Sequence, residues 1–210
     1  TNPNTLRQGL VKRGAIFQST TDTEVIVHLM AFSKEEMVED RLIDALRQVD
    51  GAYSLVALSD GKMIGARDPY GVRPLVLGRL GGAYILASES CAFDIIGADF
   101  VREIEPGEMI VVTREGLLSK RPFDSVSPRF CIFEYIYFAR PDSFMENRSV
   151  YEMRKKIGVE LAKESPCDAD YVIPVPDSGV PSALGYAEES KLPFELGIIR
   201  NHYIGRTFIE

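Results

Sequence analysis

The stretch VIPVPDSG, residues 172–179, joins a buried-strand pattern to a small polar loop, and a helical segment at 180–190 follows it. A second apolar run lies at 194–199. Before the first strand, residues 149–163 have the pattern of a capped helix. Strands that alternate with helices are typical of a parallel α/β sheet. The last part of the chain is therefore predicted to be the start of an α/β domain.

Asp177 and Ser178 lie where such a sheet binds ligands. Ligands of open α/β sheets bind at the carboxyl ends of the strands, and a helix N-terminus there offers free N–H groups to an anion. The same residues are also ordinary caps for the next helix, and the local pattern alone favours that structural role.

The stretch RNHYIGRT, residues 200–207, follows the next strand and concentrates positive charge. One guanidinium group can bind two phosphate oxygens through two parallel hydrogen bonds. The two arginines therefore suit a loop that closes on a phosphate. By composition, a solvated polar loop is an equally good interpretation.

The chain up to about residue 120 has a different pattern, with helices first and strands afterwards. Capping boxes at 21–24 (TDTE) and 33–36 (SKEE) predict two helices. Short apolar runs separated by turn signals predict an antiparallel meander at 53–58, 63–66, 75–77 and 83–86. A short helix at 90–96, a hairpin at 109–118 and an aromatic strand at 131–138 complete the predicted elements.

Composition excludes several classes of protein. The 210 residues carry 24 basic and 31 acidic side chains, a net charge of −7, which argues against a general nucleic-acid binder. No apolar run approaches the roughly 18 residues that span a membrane. The three cysteines form neither a disulfide framework nor a CxxC pattern, and no signal peptide is recognisable. We therefore expect a cytoplasmic protein, or a plastid protein if the source is a plant.

Three side chains allow both a structural and a functional interpretation. Asp22 is favoured by the helix dipole, but it is also a candidate ligand for a substrate ammonium group. Cys131 is either a small buried hydrophobe or one ligand of a metal or iron–sulfur site. His28 lies on an apolar helix and is interpreted as a packed histidine rather than a base.

Seven motifs taken together are far more specific than any one of them. They are FQSTTDTE (17–24), DPYGVRPL (68–75), ASESCAFD (87–94), EPGE (105–108), FEYIYFARPDS (133–143), VPDS (175–178) and NHYIGRTFI (201–209). In this order they resemble the amidophosphoribosyltransferases, glutamine-dependent enzymes that commit phosphoribosyl pyrophosphate to purine synthesis. The resemblance covers essentially the whole chain.

The resemblance implies an α+β N-terminal-nucleophile hydrolase part (αββα) and then the start of an α/β type I phosphoribosyltransferase domain. It assigns residues 1–124 to a glutaminase domain and 125–210 to the transferase domain. In the family, ammonia from glutamine displaces pyrophosphate from magnesium-bound phosphoribosyl pyrophosphate and yields 5-phosphoribosylamine, the first committed step of purine biosynthesis. Glutamine, phosphoribosyl pyrophosphate and inhibitory purine nucleotides are the implied ligands, in a homo-oligomer without nucleic-acid or membrane partners.

Individual residues match family positions. Asp22 matches the aspartate that binds the glutamine amino group, and Ser178 matches a position associated with magnesium. Arg200 stands where many members have lysine beside the substrate phosphates. Arg206 matches the arginine of the loop that closes over the substrate, and Tyr203 shapes that loop.

Other family features are absent or ambiguous. Cys131 matches the first cysteine ligand of the four-iron, four-sulfur cluster of some members, but members without a cluster also have cysteine there. The nucleophilic cysteine is expected upstream of Thr1, and the paired aspartates of the substrate motif beyond Glu210. The chain thus resembles an internal piece of the enzyme, with no catalytic residue of its own, and we expect it to be inactive alone.

Two alternatives stay open. One is a catalytically inactive regulatory module that binds a sugar phosphate or nucleotide through Ser178, Arg200 and Arg206. The other, which the motifs at 137–143 and 205–208 disfavour, is a different glutaminase of the same superfamily.

Overall fold

A computed structural model describes residues 2–59 and 61–205. The contacts within the chain define two compact units. Unit 1 comprises the chain up to Ser88 together with Phe93–Cys131, and unit 2 comprises Glu89–Ala92 together with the chain from Ile132 onward. The domain boundary expected between residues 124 and 125 stays a prediction, and the short Glu89–Ala92 segment has no counterpart in it.

Unit 1 begins with helices, whose bounds are α1 Pro3–Lys12, α2 Asp22–Phe32 and α3 Val38–Leu46. The sequence patterns predict α2 but not α1, which begins at a proline in the first-turn position that tolerates it. The predicted start of α3 at Ser33 is wrong. Ser33 instead ends α2, donating its N–H to the Met30 carbonyl, and α3 begins after Met37 without a side-chain cap.

Strands in the described part of unit 1 form two antiparallel sheets, ordered β1-β2-β6-β7 and β4-β3-β5. Their bounds are β1 Ser54–Ser59, β2 Lys62–Arg67, β3 Val76–Leu80, β4 Ala83–Ala87, β5 Asp99–Glu103, β6 Met109–Thr113 and β7 Gly116–Lys120. The β6–β7 hairpin is confirmed. The single meander is wrong, because β2 pairs with β6 and β3 begins the second sheet.

The buried Arg67 explains why the chain changes sheets after β2. Its guanidinium donates to the carbonyl groups of Ile104 (2.7 Å), Arg73 (2.9 Å) and Gly71 (3.0 Å). These bonds fix the segment after β2 as a broad loop instead of a tight hairpin turn.

The layers of unit 1 follow from the alternation of side chains along the strands. One face of the first sheet, including Ile64 and Met109, packs against the helices. The opposite face meets the second sheet through Ile110 and Leu77, which share one apolar cluster. On the far side, the short helix α4 (Cys91–Ile96) places the Phe93 ring against Gly78 of β3. This is the expected order of helix, sheet, sheet and helix.

Unit 2 is organised around two helices, α5 Val150–Glu164 and α6 Val180–Ser190. Its other elements are a π-helix at Glu134–Phe138 and the short strands β8 Phe144–Met145 and β9 Arg148–Ser149. The N-cap predicted for α5 is confirmed, because the Ser149 side chain accepts the N–H of Glu152. The two helices cross closely at two glycines. A Cβ added to Gly158 would lie 1.8 Å from the Ser182 carbonyl oxygen, and one added to Gly185 would lie 2.0 Å from the Lys155 carbonyl oxygen.

Two predicted strands of unit 2 are only partly formed. The segments at 171–175 and 194–199 meet in one isolated parallel bridge, Val172 to Phe194. Their parallel direction agrees with the α/β prediction.

The aromatic strand predicted at 131–138 is wrong, since these residues contain the π-helix. The buried Arg154 of α5 explains the difference. Its Nε donates to the Tyr135 carbonyl (2.5 Å) and its Nη2 to the Ala139 carbonyl (2.7 Å). In a sheet these carbonyl groups would accept N–H groups of a neighbouring strand, and here the arginine side chain supplies the donors instead.

In the part of the chain that the structure describes, none of the helices combines the length and the apolar character needed to cross a membrane.

Candidate functional site

Each unit contains one cavity that includes residues singled out by the sequence. In unit 1, Asp22 is exposed in the first turn of α2 and lines a cavity of about 270 Å³. Thr23, Asp50, Tyr53 and Ser54 also line this cavity. A carboxylate beside small polar groups and backbone suits the ammonium end of an amino acid.

Glu24 organises the loop that precedes Asp22. Its Oε1 accepts the N–H of Gln18 (2.7 Å), and its Oε2 accepts the N–H (2.8 Å) and the hydroxyl (2.6 Å) of Ser19. Thr21 is the N-cap position of α2 as predicted, but the capping box itself is wrong: Thr21 makes no side-chain cap, and its N–H donates to the Ser19 hydroxyl instead of to Glu24. The result is a fixed approach to the first turn of α2.

This loop has a predictable pH dependence. The hydrogen bond from the Gln18 N–H, followed by that from the Ser19 hydroxyl, lowers the pKa of Glu24 from 4.5 to about 2. Because this pKa is depressed in the folded state, the carboxylate stabilises the loop at and above pH 4.5 and loses that effect as the pH falls through about 2. We expect the ¹³C resonance of the Glu24 carboxyl to titrate near pH 2.

The amide resonances of Gln18 and Ser19 should shift with the same midpoint, because both N–H groups donate to Glu24. In the control variant Glu24→Gln, which has no carboxyl group at this position, this pH-dependent shift should disappear. A wild-type midpoint at the ordinary value of 4.5 would show that the loop does not hold the carboxylate.

Tyr53 is a polar group in this cavity that the sequence patterns treated only as part of a strand. Its hydroxyl is buried and has no hydrogen-bond partner among residues 2–59 and 61–205. Burial, followed by the nearby Asp68 carboxylate, raises the pKa of the phenol. The Tyr53 hydroxyl is thus a neutral hydrogen-bond donor in a residue that lines the cavity.

In unit 2, the stretch that predicts the α/β fold opens into a cavity of about 530 Å³. Its lining residues are Tyr137, Phe138, Ala139, Arg140, Pro141, Arg154, Pro176, Asp177, Ser178, Arg200, Asn201, Ile204 and Gly205. The structure therefore brings Ser178 and Arg200 together in one cavity, although they are 22 positions apart along the chain.

The predicted capping role of Asp177 and Ser178 is wrong. The residue at the N-cap of α6 is Gly179, and no side chain caps that helix. The Gly179 N–H donates to the Val175 carbonyl (3.1 Å), and an added Cβ would lie 2.6 Å from the same oxygen. This tight turn leaves the Asp177 carboxylate and the Ser178 hydroxyl beside the cavity.

Asp177 and Arg200, two charged residues of the cavity, form an exposed ion pair. The Arg200 Nη1 donates to the Asp177 Oδ2 at 3.0 Å, and both side chains are about half exposed or more. Exposed ion pairs contribute little stability, about 0–1 kcal/mol. A ligand with higher negative charge can therefore take Arg200 from Asp177 at small cost.

The other loop residues have different positions. The Tyr203 side chain is fully exposed and does not line the cavity, while its N–H donates to the Asn201 Oδ1 (3.0 Å). Arg206 lies outside the described residues. His28 packs on Phe17 with ring centroids 4.3 Å apart, which agrees with its interpretation as a packed histidine.

Two arginines of the cavity were missed at the sequence level, Arg140 and Arg154. The buried side of α5 is formed by residues four apart, Val150, Arg154, Gly158 and Ala162. An arginine within a small and apolar stripe was the available signal for Arg154. Arg140 offered no comparable signal outside the family motif, because its role depends on contacts distant in sequence.

Two side chains of the unit 2 cavity carry oxygen atoms that could bind a metal ion. Ser178 and Asp177 supply oxygen ligands, which suit Mg²⁺, an ion that keeps several waters and binds through one or two carboxylates plus substrate phosphates. Cys131 is half-buried and forms no disulfide bond. No group of three His, Cys, Asp or Glu side chains that could hold a metal occurs within 2–59 and 61–205, so the thiol set of an iron–sulfur cluster is not assembled there.

Comparison with known proteins bears on both units. A glutamine amidotransferase domain model matches residues 1–94. The amidophosphoribosyltransferase of Rhizobium etli is 56% identical over 215 residues, and that of Bacillus subtilis is 46% identical over 209. Both alignments cover 100% of this chain but only 43% and 44% of the relatives. The chain thus spans about two fifths of the length of these relatives.

Solved structures agree. The glutamine phosphoribosylpyrophosphate amidotransferase from B. subtilis, complexed with ADP and GMP, matches with a TM-score of 0.94 at 45% identity. That match covers 100% of this chain and 46% of the solved chain. It confirms the predicted fold class, an α+β N-terminal-nucleophile hydrolase part followed by the start of an α/β type I phosphoribosyltransferase domain.

Proposed function

The chain is homologous along its whole length to the amidophosphoribosyltransferases, and from this premise we propose that it is part of an enzyme that aminates phosphoribosyl pyrophosphate. Glutamine supplies the nitrogen, and the products are 5-phosphoribosylamine, pyrophosphate and glutamate. This reaction commits its substrate to purine biosynthesis. The observation that carries the proposal is the cavity of unit 2, where Ser178, Asp177 and Arg200 adjoin one another.

The glutamine reaction is assigned to unit 1. Asp22 would bind the ammonium group of glutamine, since its carboxylate is exposed at a cavity large enough for an amino acid. We assign the nucleophilic thiolate to none of the residues of this chain. A cysteine at the N-terminus of the mature protein stays a prediction.

The transfer reaction is assigned to unit 2. Arg200 would leave Asp177 and bind the diphosphate, because a guanidinium binds phosphate oxygens through two parallel hydrogen bonds. Asp177 and Ser178 would then be free to hold Mg²⁺ against the same phosphates. Bound magnesium would neutralise the charge that develops on the departing pyrophosphate. Tyr203 and Arg206 are proposed to act in the loop that closes over the substrate.

Replacing Arg200 tests this assignment in the full-length protein. We expect Arg200→Ala to raise the KM for phosphoribosyl pyrophosphate about 10- to 100-fold, since a hydrogen bond to a charged group contributes about 1.5–3 kcal/mol. Arg200→Lys keeps the charge and should lose less. The measurement is pyrophosphate release with Mg²⁺ and ammonium, so that glutamine hydrolysis is not required.

Lys191→Ala is the matched control, because this exposed cation lies in unit 2 but does not line the cavity. If the wild-type protein releases no pyrophosphate with either ammonium or glutamine, the proposed function is wrong. If Arg200→Ala has the KM of the wild type, the assignment of Arg200 is wrong.

Purine nucleotides are a further proposed class of ligand, as inhibitors. The support is that the solved B. subtilis relative is complexed with ADP and GMP. Calorimetric titration of the full-length protein with GMP and with phosphoribosyl pyrophosphate distinguishes an enzyme from the regulatory-module alternative. Tight binding of either ligand without any turnover would favour the module.

Three further features stay predictions: the homo-oligomer, a four-iron, four-sulfur cluster at Cys131, and the compartment, cytoplasm or plastid. Iron and sulfide analysis of the full-length protein tests the cluster, and its sedimentation tests the oligomer.

A further inference from the structure

The short segment Glu89–Ala92 has an unusual place in the chain. By its contacts it belongs to unit 2, whereas the residues that precede and follow it, Ser88 and Phe93, belong to unit 1. By sequence it lies within the glutamine amidotransferase match, residues 1–94. A piece of the glutaminase sequence thus contributes side chains to the other unit.

Glu89 uses one carboxylate oxygen to close a turn. Its Oε2 accepts the N–H of Arg140 (2.8 Å) and the hydroxyl of Ser143 (2.8 Å). The Ser143 N–H in turn donates to the Arg140 carbonyl at 3.1 Å, so both ends of the turn are fixed. Ser143 is fully buried, so its hydroxyl has the carboxylate and not bulk water as its partner in the folded protein.

The next residue strengthens the same attachment. The Ser90 hydroxyl accepts the N–H of Phe144 at 2.8 Å, immediately after the turn. The Cys91 thiol lies 3.7 Å from the Glu89 Oε2, and burial is the main cause that raises its pKa, so it stays a protonated donor. The side chains of Glu89 and Ser90 therefore hold residues 140–144 by accepting two backbone N–H groups and one hydroxyl group.

The turn is also a wall of the cavity that holds Ser178 and Arg200. Arg140 and Pro141 line that cavity. The Arg140 guanidinium binds Asp142 through two hydrogen bonds, of 3.0 and 2.7 Å, which fixes the direction of the side chain. Any shift of the turn would move a cation at the rim of the cavity.

We propose that Glu89 is a positioning residue for the phosphate-binding cavity, acting through the Arg140–Ser143 turn and never touching the substrate. This role rests on the proposed function, since it assumes that phosphoribosyl pyrophosphate binds in that cavity. It places a determinant of the transfer reaction in the part of the sequence that matches a glutamine amidotransferase domain.

The test is a pair of substitutions in the full-length protein. Glu89→Ala removes the acceptor of both hydrogen bonds, and we expect it to raise the KM for phosphoribosyl pyrophosphate about 10- to 100-fold in the ammonium-dependent reaction. Glu89→Gln keeps a carbonyl oxygen in place of Oε2 and should stay within about threefold of the wild type, because the proposed role needs an acceptor and not a charge. The KM for glutamine should change little in both variants.

A second variant guards against loss of folding. Ser143→Ala removes one of the two bonds and should give an intermediate rise in KM, with an effect that is not additive with Glu89→Ala. Glu164→Ala, an exposed carboxylate at the end of α5, is the matched control.

The outcomes separate the role from its premise. An inactive wild-type protein would overturn the proposed function itself. With an active wild type, an unchanged KM in Glu89→Ala overturns the positioning role, and so does a Glu89→Gln variant as impaired as Glu89→Ala. A lower melting temperature with an unchanged KM would show a merely structural contact, which also overturns it.

Discussion

Replacing Gly158 with alanine is expected to destabilise the packing of α5 against α6 by about 3 kcal/mol or more. Overpacking usually costs about 1–3 kcal/mol when side chains can yield. Here the new Cβ would lie 1.8 Å from the Ser182 carbonyl oxygen, a backbone atom, so the two helices must separate. Separation would also break the bond from the Ser182 hydroxyl to the Arg154 carbonyl (3.0 Å).

Gly9→Ala is the matched control for this effect. Gly9 lies within α1, and an added Cβ there meets no atom within 4 Å. Alanine is favoured over glycine in a helix by about 1 kcal/mol, so Gly9→Ala should stabilise α1 slightly. Hydrogen exchange of the α5 and α6 amides in the full-length protein measures the effect of Gly158→Ala. Unchanged protection of these amides would contradict the crossing described here.

Replacing Arg154 with methionine is expected to have a similarly large effect, a loss of about 2–5 kcal/mol. The side chain is 1% exposed and bonds two carbonyl groups of the 135–139 region. A buried acceptor that loses its donor costs about 1–3 kcal/mol. Relief of the buried charge offsets part of this cost, because burial already disfavours the ion and lowers the pKa of Arg154.

Limited proteolysis of the full-length protein measures the consequence for the π-helix. We expect cleavage within residues 132–139 to become faster in Arg154→Met, because this segment loses two of its anchors. Arg148→Met, at an exposed position of β9, serves as the control and should be cleaved like the wild type. Equal cleavage in both variants would mean that Arg154 does not hold the segment.

Local signals located the start of α5 correctly and that of α3 wrongly. Ser149 caps α5 as expected, since Glu152 follows at the correct spacing and its N–H reaches the serine oxygen (3.3 Å). The equivalent pattern at Ser33 failed because the preceding helix runs as far as Phe32 and uses Ser33 at its end. The same residue type thus suits both ends of helices, and sequence alone does not distinguish them.

Strands were found more reliably than their partners. The apolar runs of β1 to β4 are nearly where they were expected, but the sheet change after β2 depends on Arg67 and a carbonyl as distant as that of Ile104. No local pattern contains that contact. The edge strand β5 was missed because Phe100 and Val101 are exposed there and charged residues surround them.

The candidate site shows the same division. Local patterns made Asp22, Ser178 and Arg200 candidates, and the family resemblance gave them roles; the structure places each of them beside a cavity. Glu89, Arg140 and Arg154 gained no role from their own neighbours in the sequence. Their roles come from hydrogen bonds that join residues 15 to 54 positions apart.

The excursion of Glu89–Ala92 limits how this protein can be recombined. A chimera that takes its first 131 residues from one relative and the remainder from another would inherit the carboxylate and its turn from different parents. Such a hybrid should succeed only when the first parent has an acceptor at position 89 and the second parent has a hydroxyl donor at position 143. Crossover points outside residues 89–143 keep the carboxylate and its turn from one parent, so hybrids made at such points should be more stable than those joined near residue 131.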